Sequence, residues 1–335
     1  MLVVDHLVLH IGRHKTGTTA IQWHLVEHAF PGMCYPRSGR VRPDGRVQPG
    51  HHTLARTLQD PSAELSGDLR RIRRGIRWEA RRSEMLVLSS EGFQNLDRSG
   101  IERVERFVAS LRPDRFTIVC YLREYLSYAI SAFQQSAQSN PGVHDFVAYA
   151  EGVGDIDLLA SVAEWRRIGD VVLRPYDRSL LDAGDAVTDF LGILGRRPAI
   201  DPASVADRNP SISGNLLLTK LVLNQADWPR LPDYNALRKC ASADDRFRGP
   251  FRVGDSDAEA LRARSRFARG VLELFPDLPV PSFAGGRPVP DMARLEEDLA
   301  TLASPLRLRP DAVTFVREQA HRVEPWLAPS VRDAG

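Results

Sequence analysis

The chain has 335 residues, 43% of them hydrophobic and 26% charged, and its 45 Lys and Arg against 43 Asp and Glu give a formal net charge of +2. That is ordinary globular composition, and the near balance of charge excludes a protein recruited to nucleic acid or another polyanion by its overall field. Cys34, Cys120 and Cys240 are too few and too scattered for a disulfide framework or a thiolate metal cluster, which points to a reducing compartment.

No apolar run is long enough to cross a bilayer. The start, Met1 to His6, has no basic segment and is broken at Asp5, so a first strand is expected rather than a secretory leader, with a cytoplasmic location. Leu7-Val8-Leu9-His10-Ile11 reads as a short buried strand, and Ala20 to Val26 as a helix with one apolar face. Between them lies Gly12-Arg13-His14-Lys15-Thr16-Gly17-Thr18-Thr19. A strand, a glycine-containing loop and a helix N-terminus make an anion trap. The first N–H groups of the helix lack internal partners, and the helix dipole adds partial positive charge there. Lys15 adds a full charge, and Thr16, Thr18 and Thr19 add hydroxyl donors. The order is not that of a Walker A loop, which sets lysine directly after its second glycine; Lys15 comes two residues before Gly17.

Residues 31–50, rich in Gly, Pro and Arg, read as a long loop. His51 and His52 open a helix through Leu54 and Leu58, and are either solvated helix-start residues or site histidines. Residues 64–82 form an amphipathic helix with Leu65, Leu69, Ile72 and Ile76 at helical spacing. Its arginines, 70, 71, 73, 74, 77, 81 and 82, are a solvated face or an attraction for an anionic acceptor. Met85 to Gly92 is a second strand with a polar end, Ser89-Ser90-Glu91. Ligands of open α/β sheets bind outside the carboxyl ends of the strands, so parallel strands would bring Glu91 to the edge that carries Lys15.

A helix over Ile101–Leu111 is followed by a third strand, Phe116–Leu122, which ends at Arg123; the next helix runs through Tyr128, Ile130, Ser131 and Phe133. Residues 139–155 read as a polar connection, 156–167 as a helix, Val171–Tyr176 as a fourth strand and 185–194 as a helix ending at Gly195. Asn209-Pro210-Ser211-Ile212-Ser213 opens an apolar helix through Leu216, Leu217, Leu221 and Leu223, with Ser211 or Ser213 as its cap. Residues 231–254 read as a lid or loop in which Arg246, Arg248 and Arg252 are candidate anion contacts, and helices near 257–274, 292–302 and 310–323 finish the chain. Successive strand–loop–helix units imply a parallel sheet. The expected architecture is a three-layer α/β P-loop-like domain over 1–225, with a helical C-terminal extension over 226–335 packed on it as one structural unit.

Lys15-Thr16-Gly17-Thr18-Thr19, and Arg123 at a strand end with Ser131 eight positions later, resemble the donor site of sulfotransferases that use 3′-phosphoadenosine 5′-phosphosulfate (PAPS), in their bacterial form. The resemblance covers about Leu7 to Ser213 in discontinuous pieces. It implies transfer of a sulfuryl group to a hydroxyl or amine of a small-molecule, glycan or natural-product acceptor, releasing 3′-phosphoadenosine 5′-phosphate without a metal and without nucleic acid as partner. It implies that His14, Lys15, Thr16, Gly17, Thr18 and Thr19 hold the 5′ side of the donor, and that Lys15 stabilises the departing oxygen. Arg123 and Ser131 would hold the 3′-phosphate. Tyr176 would lie near the adenine, although a core aromatic with a surface hydroxyl is the alternative. Glu91 stands at the strand end where the animal cytosolic enzymes carry their catalytic histidine, so it is the candidate general base by position, with His52 as alternate. The Arg-Lys-Gly donor loop of those enzymes is missing, which leaves the second flank of the donor unassigned. A P-loop kinase-like protein and a catalytically silent nucleotide-binding protein are the competing readings.

Overall fold

The computed structural model describes residues 4–64, 67–198, 210–323 and 327. Met1 to Val3, Leu65 and Asn209, which entered the expectations above, lie outside them. Contacts divide the chain into two compact units, Met1–Arg123 with Leu158–Val205, and Glu124–Asp157 with Ala206–Gly335, rather than at residue 225.

The first unit is α/β, a five-stranded parallel sheet flanked by helices. Its strands are β1 (His6–His10), β2 (Met33–Cys34), β3 (Met85–Ser89), β4 (Arg115–Leu122) and β5 (Asp170–Pro175), in the order β2-β3-β1-β4-β5. All four pairings are parallel, with His10 level with Ser89 on one side and Val119 on the other. β1 is the central strand, and its Leu7, Val8 and Leu9 are fully buried, as a strand covered on both faces requires. The first helices are α1 (Thr18–Glu27), α2 (His52–Gln59), α3 (Gly67–Glu79) and α4 (Arg98–Leu111). On one face of the sheet Val8, Val87, Val119 and Tyr121 pack with Ile21 and Leu25 of α1 and with Phe190 and Leu191 of α8 (Ala186–Ile193). On the other, Cys120 and Leu122 meet Leu158, Val162 and Trp165 of α7 (Leu158–Arg166). These two helix layers fix the alternation of every strand, because a one-residue slip would turn the buried set outward.

Asp189 of α8 ties the far edge down. It accepts from Tyr121 Oη at 2.6 Å and Arg174 Nε at 3.0 Å, and pairs with Arg174 Nη2. Burial alone would raise the pKa of this carboxyl, but Arg174, the Tyr121 hydroxyl and the Asp182 N–H, which donates to Oδ2 at 3.1 Å, hold it below the ordinary carboxylate range.

The second unit is helical among its described residues: α5 (Tyr125–Ser139), α6 (Phe146–Gly154), α9 (Gly214–Gln225), α10 (Tyr234–Ala243), α11 (Asp255–Arg264), α12 (Arg266–Leu274), α13 (Leu295–Ala303) and α14 (Pro310–Gln319). Two of these replace expected connections. α6 occupies the stretch read as polar, started by Asp145, whose carboxylate accepts Ala148 N–H at 3.0 Å. α10 occupies the expected lid, capped by Asp233. Arg246 is not free for an anion, since Asp244, Glu297 and Asp298 all pair with it. Ser213 stands at the N-cap of α9 but makes no side-chain cap bond. Among the described residues no helix is long and apolar enough to cross a membrane.

Candidate functional site

The carboxyl ends of β1, β3 and β4 meet at the centre of the sheet, where the strand order reverses and where ligands of open α/β sheets bind. The β1–α1 loop sits there. Lys15 and Gly17 both adopt the left-handed conformation, at φ 65° and 73°. Glycine takes this freely and lysine at a cost, so the loop stores strain at its charged residue. The loop is closed from inside: Thr16 Oγ1 donates to the Arg13 carbonyl at 2.5 Å, and Thr18 Oγ1 reaches the same oxygen at 3.4 Å. Both threonines are buried, so these hydroxyls shape the loop, while His14, Lys15 and Thr19 remain partly open. Gly17 is the N-cap of α1 and offers no side chain to cap it, and the first turn of α1 carries no acid. The result is a loop with orphan donors and positive end charge.

Two glycines permit this close assembly. A Cβ on Gly12 would lie 2.6 Å from His10 Nε2 and 2.8 Å from Thr18 Oγ1. A Cβ on Gly17 would lie 2.8 Å from Ala186 Cβ and 3.1 Å from the Tyr176 ring. Tyr176 follows β5, and its N–H continues the ladder to the Leu122 carbonyl at 2.7 Å. Arg123, at the end of β4, donates from Nη1 to the Lys15 carbonyl at 3.2 Å and lies 5.6 Å above the Tyr176 ring. Lys15, Gly17, Arg123 and Tyr176 therefore converge on one place. Ser131 belongs to α5 of the second unit and is buried there.

A second group of polar side chains lines the β1–β3 edge. Ser90, at the N-cap of a short 3₁₀ turn over Glu91–Asn95, accepts Gly92 N–H at 3.0 Å, which sets Glu91 as the first residue of that turn. Gln22 of α1, 1% exposed, donates from Nε2 to Glu91 Oε2 at 2.9 Å and to Ser89 Oγ at 3.2 Å. Gly50 presses on that amide, where a Cβ would come within 2.6 Å of it. Ser89 Oγ also meets His10 Nδ1 at 2.9 Å. His52 Nδ1 lies 2.8 Å from Ser90 Oγ and 3.8 Å from Glu91 Oε2. Burial holds the His14 ring below the ordinary histidine range, opposed by the charge of Glu91 and reinforced by His52, Arg13 and Lys15. The carboxylate, His52, Arg13 and the lysine thus each act on the His14 ring.

His51 has a different task from that of its neighbour. It is fully buried, not a solvated helix start. Its Nδ1 accepts Ser89 N–H at 3.1 Å, so Nε2 carries the proton that meets the Pro36 carbonyl at 3.1 Å. With its lone pair taken, it cannot serve as a base, and desolvation with Arg40 pushes its pKa down to about 3. His10 is likewise buried and pushed down to about 4, chiefly by desolvation. Both are neutral when folded and titrate from 6.5 when unfolded, so the unfolded chain binds the extra protons as pH falls below 6.5. Stability is therefore full above pH 6.5 and is lost progressively towards pH 4, by up to about 1.4 kcal/mol per pH unit for each ring. Denaturant midpoints measured from pH 7.5 to pH 4.5 should fall along that limb; a flat profile would show that neither ring is buried neutral.

Sequence reasoning did not single out Gln22, Ser89, Ser90 or His10 as members of this network. The signal was present in Gln22, which shares the inward face of α1 with Thr18, Ile21 and Leu25. A polar residue at i+4 on a buried stripe must find buried partners.

No protein-family model matches the chain. Over 134 residues it is 28% identical to a protein of Archaeoglobus fulgidus described as an uncharacterized protein. The match covers 38% of this chain and 35% of that protein, so the chain spans about a third of its relative's length.

Proposed function

We propose that the chain is a sulfotransferase that moves a sulfuryl group from PAPS to a hydroxyl or amine of a small-molecule, glycan or natural-product acceptor. One observation carries the reading. The left-handed Lys15–Gly17 loop lies at the uncapped N-terminus of α1, joined to Arg123 and Tyr176 on one side and preceded on the other by His14, whose ring feels the charge of Glu91. An anion with an aromatic base suits the first group, and a nucleophile that must lose a proton suits the second.

In this reading the S–O bond to the donor's 5′-phosphate breaks as the bond from sulfur to the acceptor oxygen or nitrogen forms. The acceptor's proton passes to Glu91, and the electron pair stays on the departing phosphate oxygen. Lys15 and the loop N–H groups face that oxygen, where preorganised charge is most effective. Gln22 holds the Glu91 carboxylate by one oxygen, leaving the other for the acceptor. His52 is the second candidate for the base. A kinase-like reaction has less support, because Lys15 precedes Gly17 rather than following it.

Arg123 tests the donor's 3′ side. Its planar fork suits a phosphate, so Arg123→Ala should weaken 3′-phosphoadenosine 5′-phosphate by roughly tenfold or more while leaving adenosine 5′-monophosphate nearly unchanged. Competitive titration of the two nucleotides measures this. Equal weakening of both would remove Arg123 from the 3′-phosphate. The function itself is tested by incubation with PAPS labelled in its sulfuryl group and a panel of hydroxyl and amine acceptors, with label in the acceptor as the expected result.

A further inference from the structure

The outer face of α3 is a strongly cationic surface that the donor site does not use. Arg70, Arg74 and Trp78 follow one another at successive turns, flanked by Arg71 and, just past the helix, by Arg81 and Arg82; all are exposed. The inner face, with Ile76 buried, packs on the unit, and a Cβ on Gly75 would strike the Ser38 side chain. Residues 67–82 hold seven arginines against two carboxylates. Glu79 is turned away, accepting Arg37 N–H at 2.5 Å and Ser38 N–H at 2.9 Å. Among the described residues, Arg71–Asp68 at 3.5 Å is the one ion pair these arginines make. Like charges at i, i+4, as in Arg70–Arg74 and Arg73–Arg77, oppose helix formation, and the single exposed Arg71–Asp68 pair offsets little of this. Trp78 is 65% exposed in their midst. Arg81 donates to the Trp78 carbonyl at 2.6 Å and lies 4.1 Å above the indole.

We propose that this face docks on an anionic lipid surface. The charge asks for an anionic partner, and the exposed indole selects among such partners. Tryptophan concentrates at membrane interfaces, with its ring in the headgroup layer and its N–H wet, and clustered arginines reach lipid phosphates there. A single-stranded nucleic acid would be gripped along a groove by rings open to stacking. Here the cations lie on the outer surface of one helix and just past its end, and Arg81 covers one side of the ring. The contact is peripheral and electrostatic, so salt weakens it.

Cosedimentation of the whole protein with phosphatidylcholine vesicles, with and without phosphatidylserine, tests this. Binding is expected only with phosphatidylserine and should fade as salt is raised. Arg70→Gln with Arg74→Gln should weaken it by about 30-fold, at about fivefold per charge. Trp78→Ala should weaken it further; the arginine pair should leave the thermal midpoint equal or slightly raised, and none of these changes should alter nucleotide binding. Equal binding to both vesicle types, no binding to either, or binding to RNA or dextran sulfate but not to vesicles would overturn the assignment.

Discussion

On the proposed reaction, replacing Glu91 with glutamine is expected to slow sulfuryl transfer by roughly 10²–10⁴-fold, the usual weight of a positioned general base, with donor affinity and fold unchanged. The substitution isolates the proton-accepting step because its surroundings tolerate it. Gln22 Nε2 donates to Glu91 Oε2 at 2.9 Å, and an amide oxygen still accepts that bond, though without the charge assistance of a carboxylate. Ser90 and Gly92 form the turn whichever side chain is present at 91. The loss of rate towards low pH that protonating a base produces should disappear in the variant. If Glu91→Gln keeps its rate and His52→Ala loses that limb, His52 is the base. His51 is not a contender, since a backbone N–H already occupies its lone pair.

Removing the Lys15 ammonium is the second large effect. One donor aimed at developing charge in a water-poor site contributes on the order of 3 kcal/mol to the transition state, so turnover should fall by roughly 10²–10³-fold and donor affinity by much less. Lys15 sits at φ 65°, which strains lysine and alanine alike, so Lys15→Ala removes the charge and keeps the strain. Lys15→Gly relieves the strain and removes the charge. Equal loss in both variants assigns the effect to the ammonium. Recovery of turnover in Lys15→Gly would assign it to the backbone.

Much of the fold was legible because its signals are local. The apolar runs of β1, β3 and β4 are continuous, as buried parallel strands must be, and helix spacing marks α3 and α4. β2 was not legible: it is two residues long, and only its pairing with Met85 and Leu86 makes it a strand. α6 and α10 were missed because short helices rest on their caps and on tertiary packing rather than on propensity; the aspartates at 145 and 233 were the available clues. The long stretch read as Asp257–Leu274 is two helices, parted at Ser265, which caps the second by accepting Ala268 N–H at 3.0 Å.

The candidate site was legible only in its placement. The sequence put Lys15 and Gly17 in a strand–loop–helix turn, the family resemblance picked out Arg123, and the rule that parallel strands share an edge picked out Glu91. The Gln22–Ser89–His10 network was not, because each bond in it joins elements far apart in the sequence. The roles of Thr16 and Thr18 also lay beyond sequence reasoning, since a hydroxyl can serve a ligand or its own loop, and here the Arg13 carbonyl takes both.

Calorimetric titration of the whole protein with 3′-phosphoadenosine 5′-phosphate, adenosine 5′-monophosphate and ATP tests the proposed donor site most directly. Tight binding of the first is expected, with the other two markedly weaker and with the preference for the first over the monophosphate lost in Arg123→Ala. Tighter binding of ATP, or no discrimination by the 3′-phosphate, would contradict the assignment of this loop to a PAPS donor.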